Sequence, residues 1–247
     1  MLQLASSSFM VDAQFERVST AFLKNKTKIL DELGVKEIVE DRKRQLEGVD
    51  MICDIPHKIP KSTFVLENQN VDMKSIASDL PTFCFELLGN QNSKKLGWLL
   101  QDNRTDYYLI VYHDIENSQG YNINKRIMTE DNVTWTRALL IQKKRLMNTI
   151  LKKLDIHDKE RLEGICNTIR ETEIAAKNKG TSCYVYDGEE DTLRKQRKDE
   201  KKYNQMWFSC SNHLKERPIN IVIRRNVLES ISDYIWEWNR EESCLKN

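Results

Sequence analysis

The sequence predicts an α/β (α+β) fold: a helix and then a β-sheet in the first half, followed by helices, a hairpin and a closing helix. Three observations carry this prediction: apolar residues at helical spacing over Gln14 to Leu33, a succession of short β-branched and aromatic runs from Val49 to Tyr112, and renewed helical spacing from Trp135 onward. No internal repeat or break in composition divides the 247 residues, so a single domain is expected, with a core over about 10–125 and an elaboration over about 126–247.

The elements follow in order. Phe15, Val18, Ala21, Phe22, Ile29, Leu30 and Leu33 recur every three or four residues and stop at Gly34, which suits one helix and its C-terminus. Val49 to Ile55, Thr63 to Leu66, Val71 to Ile76, Thr82 to Leu88, Gly97 to Leu100 and Tyr107 to Tyr112 are short, rich in β-branched and aromatic residues and bounded by Pro, Asn, Asp or Gly, so strands are expected. Trp135 to Leu154 and Asp158 to Lys179 read as helices, the second closed by Gly180. The polar stretch from Gly188 to Gln205 reads as a mobile basic loop or a solvated helix. Trp207 to Ser211 with Ile219 to Arg224 reads as a hairpin, and Asn226 to Trp238 as an amphipathic helix.

Composition removes several function classes. With 39 Lys and Arg against 38 Asp and Glu the formal charge is +1, and the 8 Gly and 4 Pro exclude collagen-like and linker-dominated chains. No Gly-x-Gly-x-x-Gly and no Gly-Lys pair is present, which removes dinucleotide-fingerprint and Walker-loop chemistry. The apolar runs are of strand length, far short of the roughly 20 residues of a bilayer span, so no membrane association is expected. Met1 to Asp12 lacks a basic segment followed by an apolar stretch, and a cytoplasmic protein is the expectation. The six cysteines are scattered singly and read as reduced thiols; Cys210 and His213 form the one close Cys/His pair, too few for a tetrahedral zinc site.

The chemistry concentrates in Gln45-Leu-Glu-Gly-Val-Asp50 and Val71-Asp72-Met73-Lys74. On a strand Asp72 and Lys74 share one face while Val71 and Met73 take the other. If the strand that starts near Asp50 is the hairpin partner of the strand that carries Lys74, Asp50 joins them. Two converging carboxylates make an oxygen-rich site for a hard cation such as Mg²⁺ (or Mn²⁺), which keeps several waters and adds substrate phosphate. A lysine beside such an ion orients or helps to deprotonate the attacking water and offsets charge in the transition state. An acidic residue, any residue, then Lys also occurs at Asp41-Arg42-Lys43 and Asp199-Glu200-Lys201, so strand context, not the tripeptide, selects Asp72 and Lys74.

Val49-Asp50 followed by Asp72-x-Lys74 resembles the PD-(D/E)XK nuclease superfamily, with Val where the motif often has Pro. The wider pattern is Gln45-x-x-Gly48-Val49-Asp50, Val71 to Lys74, Thr82 to Leu87, Gly97-Trp98-Leu99 and Thr105 to Leu109. It is similar to uncharacterised phage and bacterial members, and covers about Asp41 to Asp114. The resemblance implies a restriction-endonuclease-like mixed central sheet flanked by helices, and Mg²⁺-dependent cleavage of nucleic acid, usually DNA, with RNA left open. By motif position it implies Asp50 and Asp72 as metal ligands and Lys74 as the catalytic lysine; the backbone carbonyl of Met73 is the further ligand expected beside them. The resemblance further implies a carboxylate from the first helix, for which Glu16 is the candidate ahead of Glu37 and Glu40, and a water- or phosphate-binding role for Gln45, with Glu86 of equal standing.

Arg42, Lys43 and Arg44 directly precede the motif and are candidates for the nucleic-acid backbone; further basic clusters are Lys143-Lys144-Arg145 and Arg194 to Lys202. Trp207, Trp236 and Trp238 suit either base stacking or the core. A homodimer suits double-strand cleavage. The alternative from a different class is a non-catalytic nucleic-acid-binding or assembly protein that keeps the fold.

Overall fold

The structure, a computed structural model, describes residues 2–59, 62–89, 96–197, 200, 204–214 and 216–241. The chain divides into two compact units, each assembled from separated stretches: Met1–Leu80, Arg104–Lys143 and Ser232–Asn247 form the first, and Pro81–Asn103 with Lys144–Ile231 the second. The division does not follow the expected boundary near residue 125. Strands from the second half of the chain complete the first sheet, and a strand from the first half sits in the second.

The first unit is built on a six-stranded mixed sheet. Its order is β1 (Val35–Ile38), β2 (Met51–Ile59), β3 (Ser62–Ile76), β5 (Tyr107–Ile115), β6 (Val133–Gln142) and β11 (Tyr234–Asn239). β3 and β5 run parallel, and every other neighbouring pair is antiparallel. Helix α1 (Leu2–Lys26) lies in the same unit, and Phe15, Phe22 and Leu23 share one core with Val71, Met73, Leu109, Val111, Ala138 and Leu140. Phe22 and Leu23 are both 0% exposed, so each contributes about 1.5–3 kcal/mol of apolar burial. The helix expected over Gln14 to Leu33 is two helices. The Thr27 hydroxyl donates to the Leu23 carbonyl at 2.6 Å and accepts the Ile29 N–H at 3.1 Å, closing α1 and starting α2 (Ile29–Glu32).

Two expected strands, Thr63 to Leu66 and Val71 to Ile76, are one continuous strand, β3. The polar residues between them are accommodated by Asn68 at φ 54°, whose N–H donates to Asp54 at 2.9 Å beside a shift in the β2–β3 register. Trp135 to Leu154 is not a single helix: its first part is β6 and only α5 (Lys143–Leu154) is helical. The same holds for Asn226 to Trp238, which splits into α7 (Arg225–Ile231) and β11. In both, β-branched and aromatic residues pair across the sheet, Trp236 with Ala138 and Trp238 with Thr136, and cross-strand packing overrides a helical spacing.

The second unit has a five-stranded antiparallel sheet. Its order is β4 (Thr82–Leu88), β10 (Ile219–Arg224), β9 (Met206–Ser211), β7 (Thr181–Asp187) and β8 (Thr192–Lys195). The expected hairpin is β9–β10, while β4, expected in the sheet of Asp72, pairs with β10 instead. Gly97 to Leu100 forms a turn whose Gly97 N–H donates to Leu87 at 2.7 Å; a Cβ at Gly97 would lie 2.3 Å from the Glu86 carbonyl oxygen, so a strand with side chains has no room there. The polar stretch after Gly188 contains β8, and its Lys198, Lys201 and Lys202 lie outside the described residues. Helix α6 (Lys159–Ala176) is capped by the Asp158 carboxylate, which accepts the Arg161 N–H at 2.7 Å, and ends at Lys177 at φ 51°, three residues ahead of Gly180. Among the described residues no helix is long and apolar enough to cross a membrane.

Candidate active site

Asp50, Asp72, Lys74, Gln45 and Glu16 all lie in the first unit. Asp50 is delivered by a short helix, α3 (Arg42–Leu46), whose N-cap Asp41 accepts the Arg44 N–H at 2.8 Å. The helix stops in a Schellman turn: Gly48, at φ 79°, donates to Gln45 O at 3.0 Å and Val49 N–H donates to Arg44 O at 3.1 Å. This left-handed position is why the Gln45-x-x-Gly48-Val49-Asp50 pattern has Gly at its fourth residue, since a side chain there costs about 1–2 kcal/mol. The turn carries the chain onto β2, whose first residue Met51 faces Val71 of β3.

Asp50 is then fixed by three hydrogen bonds. Its N–H donates to Val71 O at 3.0 Å, its carbonyl accepts the Val39 N–H at 2.8 Å, and its carboxylate Oδ2 accepts the Met73 N–H at 2.8 Å. An extended residue presents its N–H and C=O to the same strand edge, so the Met73 carbonyl faces the side on which Asp50 sits. Gln45 braces this corner: its Nε2 donates at 2.8 Å to the carbonyl of Val39, the residue that holds the Asp50 backbone.

On β3 the alternation is as expected. Val71 and Met73 enter the core beneath α1, while Asp72 and Lys74 take the other face. Asp72 is only 2% exposed, and Lys74 Nζ donates to its Oδ1 at 2.6 Å. Burial, repulsion from Asp72 and a hydrogen bond between the two carboxyls push Asp50 up to about 8; Lys74 and the Met73 N–H oppose this only in part. At neutral pH Asp50 therefore keeps its proton, hydrogen-bonded to Asp72. Burial alone would lower Lys74, but Asp72, Asp50 and Glu16 outweigh it and hold it above the ordinary lysine range, so at neutral pH Lys74 is an ammonium.

Glu16 is exposed on α1, yet within electrostatic reach of the site. Partial withdrawal from water raises its carboxyl, Asp12 and Asp72 add to the rise, and Lys74 and Arg42 counter it. Of the basic triplet, Arg42 and Lys43 are exposed, whereas Arg44 is paired with Glu37 at 2.6 Å. Glu86 belongs to β4 in the second unit. Trp207 is buried, and Trp236 and Trp238 pack partly buried against the core of the first unit.

Tyr108 is a neighbour that sequence reasoning missed. The parallel β3–β5 register sets it opposite Asp72, where burial and the Asp72 charge raise its phenol pKa. Only the pairing of strands 36 residues apart reveals it. A cavity of about 420 Å³ in the second unit, lined by Lys153, Asp155, Tyr186, Asp187, Glu189 and Arg194 among others, does not include Asp50 or Asp72.

Among the described residues no group of three or more His, Cys, Asp or Glu side chains is placed to hold a metal ion. That donor set does not suit zinc, which takes at least three protein ligands. Two adjoining, hydrogen-bonded carboxyls suit Mg²⁺, which binds through one or two carboxylates and keeps its waters. The chain matches no protein-family model, no curated protein and no solved structure.

Proposed function

We propose that this chain is a metal-dependent nuclease that hydrolyses phosphodiester bonds, DNA being the substrate, in the cytoplasm. The observation that carries the reading is the convergence of Asp50 with Asp72, to which it is hydrogen-bonded, and with the Lys74 ammonium 2.6 Å from Asp72. Carboxylates crowded until one resists ionisation are stabilised by a divalent cation, and a lysine already held in place answers to a phosphate rather than to the fold alone.

Asp50, Asp72 and the Met73 carbonyl would hold Mg²⁺ or Mn²⁺, which supplies Lewis-acid polarisation and an acidified water. Lys74 donates to the attacking water or to a non-bridging phosphate oxygen and offsets the negative charge that builds there. Glu16, raised by partial withdrawal from water and within electrostatic reach of Lys74, would accept the proton released by the water. The Schellman turn at Gly48 and the Gln45–Val39 bond keep Asp50 in register with Asp72.

The test is cleavage of plasmid DNA by Lys74→Ala together with Mn²⁺ calorimetry on Asp72→Ala. Cleavage lost in the first with folding and DNA binding retained, and ion binding lost in the second, support the reading. Undiminished cleavage by Lys74→Ala overturns it.

A further inference from the structure

The residues that lead into β5, Arg104-Thr105-Asp106, are each bonded to a neighbour of Asp50 within the first unit. The Arg104 N–H donates to the Glu47 carbonyl at 2.9 Å, and the Thr105 hydroxyl donates to the Gly48 carbonyl at 2.9 Å. Asp106 takes Asn70 from both ends: its N–H donates to the Asn70 carbonyl and its Oδ2 accepts the Asn70 N–H, each at 2.9 Å.

These bonds fall where the direction of the Asp50 side chain is decided. Gly48 is buried, so its carbonyl needs a partner from the protein, and Thr105, itself 6% exposed, supplies it. The Gly48–Val49 peptide is thereby held at both ends, its carbonyl by Thr105 and its N–H by the Arg44 carbonyl at 3.1 Å. A peptide unit turns as one plane about its flanking φ and ψ, so a rotation here would swing the Asp50 carboxyl away from the Met73 N–H. On the other strand Asn70 precedes Val71, whose carbonyl accepts the Asp50 N–H at 3.0 Å. The β2–β3 ladder shifts register between Cys53 and Ile55, which leaves three pairs, Met51 with Val71, Ile52 with Asn70 and Cys53 with Gln69, at the Asp50 end. The bonds from Thr105 and Asp106 reinforce the alignment at that short end.

We propose that Thr105 and Asp106 are positioning residues for the Asp50 and Asp72 metal site, clamping the turn before Asp50 to the strand before Asp72. The inference rests on the nuclease reading and names what holds its ligand pair in alignment. Partners that orient metal ligands from behind are worth about 10–100-fold in metal affinity. A hydroxyl that served the fold alone would change unfolding and leave the affinity of the folded protein as it was.

The experiment measures Mn²⁺ affinity of the full chain by calorimetry and, separately in EDTA, hydrogen exchange of the Met73 amide, which donates to Asp50 Oδ2 at 2.8 Å. It compares wild type with Thr105→Val, Thr105→Ser, Asp106→Ala and a control, Thr136→Val, which removes a buried hydroxyl bonded to His113 in the same unit. Thr105→Val and Asp106→Ala are each expected to weaken Mn²⁺ about tenfold and to speed Met73 exchange about tenfold relative to the amides of β6. Thr105→Ser keeps the hydroxyl and should stay within about twofold of wild type. The control should lower Tm and move neither readout. Wild-type affinity and Met73 protection in folded Thr105→Val and Asp106→Ala, or an equal loss in Thr136→Val, overturns the clamp even where wild type cleaves DNA. If Thr105→Val does not fold, Asp106→Ala, which leaves the Thr105 hydroxyl in place, decides alone. The expected losses in a protein whose wild type binds Mn²⁺ but never cuts sustain the clamp while the nuclease reading fails, and a wild type that binds no Mn²⁺ overturns both.

Discussion

Asp50→Asn tests the dyad in the protein without metal. In the unfolded chain Asp50 titrates near its ordinary value of 3.8; in the fold, burial and the neighbouring Asp72 carry it to about 8. Between those values the folded state holds a proton that the unfolded state has lost, so Asp50 costs stability as pH rises through this window. The slope is about 1.4 kcal/mol per pH unit where the proton difference is complete. Asparagine keeps an oxygen for the Met73 N–H and presents an amide to Asp72 without a titratable charge. Relative to wild type, the variant should therefore gain about 3 kcal/mol between pH 5 and pH 7 in urea unfolding with EDTA present. Carbon-13 titration of the Asp50 carboxyl reads the same quantity directly. A midpoint in the ordinary carboxylate range, with a stability difference that does not change from pH 5 to pH 7, would refute the crowding of Asp50 against Asp72.

Other perturbations reach the rest of the account. Gly48→Ala places a Cβ at φ 79° and should cost about 1–2 kcal/mol in thermal unfolding, with cleavage falling further because Asp50 shifts out of register. His113 is buried, with Nε2 2.8 Å from the Ser19 hydroxyl and Nδ1 2.8 Å from the Thr136 hydroxyl, and burial lowers it to about 3. Its contribution is present above its unfolded value of 6.5 and is lost by about 1.4 kcal/mol per unit as pH falls below that, so His113→Gln should flatten the acid limb. In wild type Asp50 has the opposite slope over part of the same range, so the comparison is cleanest in the Asp50→Asn background. Mg²⁺ should raise the Tm of wild type more at pH 8 than at pH 6, because protons compete for Asp50; at a hundredfold excess over Kd the gain is about 2.7 kcal/mol, and Asp72→Ala should show none.

The legible parts of this fold were those that local pattern decides. Parity along Val71 to Lys74 placed Asp72 and Lys74 on one face and their neighbours in the core, and the Asp50–Lys74 hairpin is the β2–β3 pairing. The interval from Trp135 to Leu154 was not legible, because Ala138, Leu139 and Leu140 satisfy a helical stripe as well as a strand buried on both faces, and only β5 and β11 on either side decide between them. The strand expected from Thr82 to Leu88 was real, but its sheet was not, since pairing with β10 joins residues more than 130 positions apart. Within the site, Asp50, Asp72 and Lys74 followed from spacing, whereas the bracing role of Gln45 and the place of Tyr108 depend on contacts that no local window contains.

The most direct test of the central claim is cleavage of supercoiled plasmid and single-stranded DNA with Mg²⁺ or Mn²⁺, wild type beside Asp72→Ala/Lys74→Ala, each shown to be folded. Metal-dependent cutting by wild type alone is the predicted result. Equal cutting by the double variant, or none by wild type on either substrate, would contradict hydrolysis at the Asp50, Asp72 and Lys74 site.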